Sequence, residues 1–284
     1  AQRLGKEAGL FVASGTQSNL IALLTHCQRG DEYIAGATAH TYRFEGGGAA
    51  ALGGIQPQPM EFAADGTLDL AAVAELVKPN DPHFAVTRLL CLENTQDGKP
   101  AGPEYFLTAR ALCDDLGLAL HLDGARIFNA AVAPGCAPKA IAEPCDSVSV
   151  CLSKGLGAPV GSVLLGSSDF IARARRWRKV VGGGMRQSGI LAAAGLYALE
   201  HHVDRLAEDH KHAEALAGAV NEVYPGAARQ FTNMVFVDLP DAEMRRLITG
   251  LAEQQIVIRG PRWVTHLDVT AADIQRVAAA LQGT

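Results

Sequence analysis

The chain has 284 residues, 48% of them hydrophobic, with 25 Lys and Arg against 30 Asp and Glu. That length supports one large or two ordinary domains with a sizeable core, and the net charge of −5 gives no electrostatic footprint for nucleic acid or an anionic membrane surface. No apolar run reaches the length of a membrane span and the opening Ala1 to Glu7 lacks a secretory pattern, so a soluble, cytoplasmic protein is the expectation.

Ala8 to Ala13 is a short apolar run that ends in Ser14-Gly15-Thr16-Gln17-Ser18-Asn19, after which Leu20 to Cys27 has a helical pattern. A Ser/Gly/Thr turn at a helix start aims N–H groups, hydroxyls and the positive end of the helix dipole at one spot, which suits a phosphate and also plain capping. Neither the Walker nor the Rossmann glycine spacing is present. Glu32 to Gly36 then reads as a strand leading to His40 and Tyr42. An imidazole there can stack on a ring, shuttle a proton or be an ordinary satisfied histidine. Glu45 to Gly54 is rich in Gly and Ala and predicts a closely packed helix and turn without chemistry.

Leu68 to Val77 has the spacing of a surface helix, ended by Pro79 to His83. Arg88 to Leu92 is an apolar strand opening onto Glu93, Asn94 and Thr95, as at the carboxyl edge of a parallel sheet, where ligands sit. A helix around Tyr105 to Leu116 with Gly117 as its C-cap leads to Leu118 to Asp123, a second strand ending in charge. A carboxylate at the end of a buried strand needs a cation or a strong donor, and Arg126 and a protonated pyridine nitrogen both meet that need. Ser147 to Leu152 alternates as a strand and delivers Lys154 into a glycine-rich turn. An ammonium placed there is either a surface cap or a group held for chemistry, such as a Schiff base with a carbonyl compound.

Ser162 to Gly166 is a further strand, and the basic stretch from Asp169 to Lys179 reads as a helix with a solvated or subunit-contacting face. Arg186, between glycines and a helix start, can reach an anion. Ile190 to about Val223 predicts a long helix or a pair. Beyond Tyr224-Pro225-Gly226, the segments Asn233 to Asp238, Met244 to Leu251, Ile256 to Arg259 and Trp263 to Val269 alternate strand and helix, with Ile256 to Arg259 as a strand. Thr270 and Asp273 form a capping box for the last helix. The six cysteines are scattered with no Cys-x-x-Cys pair, as expected of reduced thiols. The pattern predicts an α/β fold: a large domain with a mostly parallel sheet over residues 1–203, and a smaller C-terminal α/β domain over residues 204–284.

Together, Ser14-Gly15-Thr16, His40, His121-Leu-Asp123-Gly-Ala-Arg126 and Ser153-Lys154-Gly-Leu-Gly-Ala-Pro-Val-Gly-Ser162 resemble the fold-type-I pyridoxal-phosphate enzymes. The longer strings Asp123-Gly-Ala-Arg-Ile-Phe-Asn-Ala130 and Gly182-Gly-Gly-Met-Arg-Gln-Ser-Gly-Ile-Leu191 narrow the likeness. They resemble the low-specificity L-threonine (L-allo-threonine) aldolases, a family grouped with the β-eliminating lyases, and the resemblance runs from Gly5 to the C-terminus. It implies a transferase-like fold and pyridoxal 5'-phosphate as cofactor. It also implies retro-aldol cleavage of L-threonine, L-allo-threonine and other β-hydroxy-α-amino acids to glycine and an aldehyde such as acetaldehyde. A homo-oligomer, dimer or tetramer, with a small amino-acid substrate and no metal, nucleic acid or membrane partner, is expected.

On the same resemblance, Lys154 carries the cofactor, Asp123 keeps its ring nitrogen protonated and His40 stacks on the ring. Ser14, Gly15, Thr16 and Ser153 hold the phosphate, with Arg186 reaching it from a neighbouring subunit. Arg126, which also borders the cofactor, and Arg262 grip the substrate carboxylate. His83 lies near the substrate hydroxyl, and either His40 or His83 is the base. Family members carry an N-terminal segment with a serine for the substrate carboxylate, and nothing from Ala1 onward matches it, so a chain lacking that segment is expected. The residues alone leave open a β-eliminating or transaminating relative, and one that binds the cofactor without activity.

Overall fold

In the computed structural model, which describes residues 1–283, the contacts divide the chain into two compact units, Ala1–Glu200 and His201–Thr284. The first unit opens with β1 (Ala8–Val12), α1 (Gly15–His26), β2 (Asp31–Gly36), α2 (His40–Arg43), β3 (Gln56–Met60) and α3 (Leu70–Leu76). There follow β4 (Val86–Glu93), α4 (Pro103–Leu116), β5 (Ala119–Asp123), α5 (Ile127–Val132), α6 (Pro138–Ala142), β6 (Ser147–Cys151), β7 (Ser162–Gly166), α7 (Ser168–Val180) and α8 (Gly189–His201).

Its seven strands lie in the order β1-β7-β6-β5-β4-β2-β3. The pairs from β3 through β6 are parallel. β7 runs antiparallel to both its neighbours, so β1 points the same way as β6, and every strand except β7 ends on one edge. The central strands are nearly continuous apolar runs because helices cover both faces of such a sheet: Leu89, Leu90, Leu120, Leu122 and Val148 are all fully buried. Local signals set the boundaries. Pro103 occupies the first turn of α4, where its missing N–H costs nothing, and Gly117 ends that helix at φ 67°.

β3 is the one strand here without a sequence signal. Its Gln-Pro-Gln-Pro-Met run reads as a breaker, yet it pairs with β2 from Glu32↔Gln56 to Gly36↔Met60. It can do so because it is the sheet edge: Pro57 and Pro59 share one parity, and an edge strand tolerates prolines whose nitrogens face away from the ladder.

The second unit contains α9 (Leu206–Val223), β8 (Ala228–Phe231), β9 (Met234–Val237), α10 (Asp241–Glu253), β10 (Arg262–Val264) and α11 (Ala271–Leu281). Its three strands form an antiparallel sheet in the order β10-β9-β8. Val220, Val235, Leu247, Leu251 and Leu281 make the core beneath it. The capping box of α11 is present, with Thr270 Oγ1 accepting from Asp273 N and the Asp273 carboxylate accepting from Thr270 N. The strand expected at Ile256–Arg259 is absent. That stretch is irregular, Val257 is 77% exposed, and Gly260-Pro261 delays pairing until Arg262 meets Phe236. The long segment from Ile190 resolves into the pair α8 and α9.

Candidate active site

Five co-directional strands deliver the polar residues singled out in the sequence to one edge of the seven-stranded sheet. β1 leads into Ser14-Gly15-Thr16, β2 into His40, β4 ends at Glu93, β5 at Asp123, and β6 leads into Ser153-Lys154. This edge is where ligands bind in open α/β sheets, because the loops there diverge around the point at which the strand order reverses.

The first turn is built to cap a helix. The Ser14 hydroxyl accepts from Gln17 N at 3.1 Å, and α1 continues for 12 residues, so its free amide groups and dipole face the same edge. Gly15 has a packing reason of its own, since a Cβ there would stand 2.8 Å from Cys151 Sγ.

A cluster of acids lies beyond that turn. His40 Nδ1 is 2.8 Å from Glu45 Oε1, and the His40 backbone N–H donates to Glu93 Oε2 at 2.7 Å. The Asn19 amide nitrogen donates to Glu45 Oε1 at 2.8 Å and to Asp123 Oδ2 at 2.7 Å, while Ala125 N donates to Asp123 Oδ1 at 3.1 Å. One ligating atom from each of His40, Glu45 and Asp123 lies within 4.8 Å of the other two. Asp123 is only 3% exposed. Its hydrogen bonds come from neutral donors, the Asn19 amide and the Ala125 N–H.

Confining these acids shifts their protons. Burial, then the charge of Asp123, pushes Glu93 up to about 8. Glu45 is raised chiefly by burial. His40 is raised chiefly by its hydrogen bond to Glu45, which favours the imidazolium. Glu93, Glu45 and His40 therefore retain protons that the same groups would lose in water.

Lys154 is half-buried in the turn after β6, and its amine has no hydrogen-bond or ion-pair partner among the described residues. Its charge acts on His40, Glu93 and Cys151, which places it beside the cluster. Arg126, at the start of α5, acts on the Cys151 thiol likewise. Ser153 is exposed next to Lys154.

Three expected site residues are exposed. The His83 side chain is 85% exposed, with Nδ1 bonded to Asp81 at 2.6 Å. Arg186 is exposed in the irregular stretch between α7 and α8, and Arg262 is exposed at the start of β10 in the second unit. An apolar cavity of about 270 Å³ in the first unit, lined by Phe128, Val150, Leu152 and Leu196 among others, includes none of these residues.

Sequence reasoning passed over Asn19, Glu45 and Glu93 as site members. Asn19 was the most accessible of the three: a polar residue just inside a helix, on a face that buries Ser18, Ile21 and Ala22, needs a polar partner in the core.

The chain matches the beta-eliminating lyase family over residues 1–242. It belongs to that family. Among its relatives, the low specificity L-threonine aldolase of Escherichia coli K12 is 54% identical over 98% of this chain and 85% of that protein. Low-specificity L-threonine aldolase 1 of Arabidopsis thaliana is 41% identical over 99% of this chain and 84% of its own length. The fold also matches the threonine aldolase of Leishmania major, with a TM-score of 0.83 at 22% identity, covering 97% of this chain and 84% of that one. A serine palmitoyltransferase from S. paucimobilis, solved with bound pyridoxal phosphate and myriocin, shares the fold at a TM-score of 0.75 and 18% identity, over 99% and 73% of the two chains.

Beta-eliminating lyase and threonine aldolase family members depend on pyridoxal phosphate, and the residues here fit that group. Asp123 offers a buried anionic acceptor held by neutral donors, which a cationic ring N–H would complete. Lys154 offers an unengaged amine, and the start of α1 offers the donors a phosphate needs.

Proposed function

We propose that this beta-eliminating lyase family member cleaves L-threonine, L-allo-threonine and related β-hydroxy-α-amino acids to glycine and an aldehyde, with pyridoxal phosphate held covalently by Lys154. The observation that carries the reading is the buried Asp123 carboxylate, held by the Asn19 amide and the Ala125 N–H, on the same sheet edge as Lys154. When bound, the cofactor supplies an electron sink for the bond that breaks at the substrate α-carbon.

The protein supplies placement and protons. Asp123 would accept the ring N–H and hold that nitrogen protonated. Ser14, Gly15 and Thr16, with the α1 amides, receive the phosphate, assisted by Ser153 and by Arg186 of a neighbouring copy. Arg126 and Arg262 would fork onto the substrate carboxylate, and fixing that group would select which bond at the α-carbon breaks. His40 would stack on the ring. With Nδ1–H directed to Glu45, its Nε2 holds the free lone pair and takes the β-hydroxyl proton, while Glu45 stabilises the imidazolium that forms. The contacts favour His40 over the exposed His83 as this base, and His83 is read as an outer residue near the hydroxyl.

The exposed apolar side chains of Ile190, Leu196 and Tyr197 on α8 support assembly into a dimer or tetramer. No helix among the described residues is long and apolar enough to cross a membrane, in keeping with a cytoplasmic setting.

The test is product analysis on the reconstituted protein, coupling aldehyde release to its reduction while glycine is counted. Equal amounts of acetaldehyde and glycine are expected from L-threonine and from L-allo-threonine. A keto acid instead would assign the site to another chemistry of the family.

A further inference from the structure

Behind the acid cluster, a line of buried hydrogen bonds runs beneath α1. His26 Nε2 is 2.7 Å from Ser147 Oγ, and Ser147 Oγ is 2.7 Å from His121 Nδ1. His121 Nε2 is in turn 3.2 Å from Asn19 Oδ1, whose amide nitrogen reaches Asp123 and Glu45. Asn19, His121 and Ser147 are at most 1% exposed. His26 is packed on the Phe170 ring at 4.5 Å. From Asn19 to His26 the helix advances by about 10 Å, so the line connects the ligand edge of the sheet with the far end of α1.

The direction of every bond in this line follows from one constraint. Two carboxylates accept from Asn19, so its nitrogen must face them and its oxygen must face His121. His121 then carries its proton on Nε2 and accepts at Nδ1 from the Ser147 hydroxyl. Having donated its only proton, Ser147 must accept from His26 Nε2–H. Burial holds both imidazoles neutral, pushing His26 down to about 4 and His121 down to about 3. A neutral imidazole has one donor and one acceptor, so only one other arrangement is self-consistent. It reverses every bond and turns the Asn19 oxygen onto Asp123 and Glu45, each of which would then need a proton to bond it.

We infer that His26, Ser147 and His121 form a one-way hydrogen-bond relay that locks the Asn19 amide nitrogen toward Asp123 and Glu45, so that Asp123 is held as the acceptor for the cofactor ring nitrogen. They are positioning residues acting through Asn19. The inference rests on the reading of Asp123 given above, and concerns how that carboxylate is kept competent.

Two measurements separate the relay from the aldolase reading. In the cofactor-free protein, nitrogen NMR of labelled histidine should show both His26 and His121 as neutral Nε2–H tautomers. An Nδ1–H tautomer or a cation at either would overturn the direction. With ring-nitrogen-labelled pyridoxal phosphate bound, Ser147→Ala should move the ring-nitrogen resonance toward its unprotonated position. It should also lower kcat ~10-fold with KM changed less than ~2-fold, as for loss of a charge-assisted hydrogen bond. His26→Phe, which keeps the ring contact to Phe170, should move the same resonance in the same sense, and His26→Gln, which keeps a donor toward Ser147, should restore it. Resonances unmoved in both Ser147→Ala and His26→Phe, while aldehyde is still released, would overturn the relay and leave the aldolase reading standing. Resonances that shift in a protein releasing no aldehyde would uphold the relay and remove the aldolase reading.

Discussion

His40 shows how one side chain gets its chemistry from neighbours distant in the fold or hidden in an unpromising run. Its pKa is raised chiefly by the bond to Glu45. Replacing that carboxylate in Glu45→Gln removes the cause, so the imidazole should lose its proton at lower pH. Because the base must be neutral to accept the hydroxyl proton, the acidic limb of the kcat/KM profile should move to lower pH. The stabilisation of the imidazolium is lost at the same time, and kcat should fall by roughly 10- to 100-fold. A limb that stays in place would show that His40 is not the titrating base. At this scale Asp123 and Lys154 were legible because each charge follows a buried apolar strand, an arrangement that needs an explanation. Glu45 was not, since it sits among glycines with no periodicity. Asn19 was not, since its role depends on Asp123, 104 positions away.

The element that matters most is the β1–α1 junction, where a strand end and a helix start share Ser14. If that turn both caps α1 and receives a phosphate, Ser14→Ala should cost about 1 kcal/mol of stability through the lost bond to Gln17 N, and should weaken cofactor binding as well. Thermal unfolding of the cofactor-free protein reads the first effect and a pyridoxal phosphate titration the second. Unchanged cofactor affinity would reduce the turn to plain capping. Apolar strands and capped helices were readable because their signals are local. β3 was missed because edge position, a property of the sheet rather than of the segment, is what excuses Pro57 and Pro59. Ile256 to Arg259 was over-read because its apolar residues are not matched by pairing, which Gly260-Pro261 delays until Arg262.

Across the whole molecule, groups with displaced pKa values tie stability to pH, and their signs oppose one another. His26 and His121 are depressed from 6.5 to about 4 and about 3, so their contribution is present above pH 6.5 and is lost as pH falls through those values. Glu93 is raised from 4.5 to about 8, so its contribution is present below pH 4.5 and is lost as pH rises to about 8. The melting temperature of the cofactor-free protein should therefore peak near pH 6.5 and fall on both sides. Glu93→Gln should reduce the fall between pH 6.5 and pH 8, and a fall of undiminished slope would show that Glu93 is not its source. The alternation of strand and helix made the α/β architecture legible. The order of the strands, with β1 returning beyond β7, was not, because it is decided by which edges remain free once the central strands have paired.

Lys154 follows β6 at the sheet edge where the five strands end, and its charge acts on His40, Glu93 and Cys151. Borohydride reduction of the protein reconstituted with pyridoxal phosphate, followed by peptide mass mapping, tests its role most directly. The expected result is one phosphopyridoxyl group per chain, on the peptide bearing Lys154, and none in Lys154→Ala. The group on a different lysine, or no covalent group at all, would contradict it.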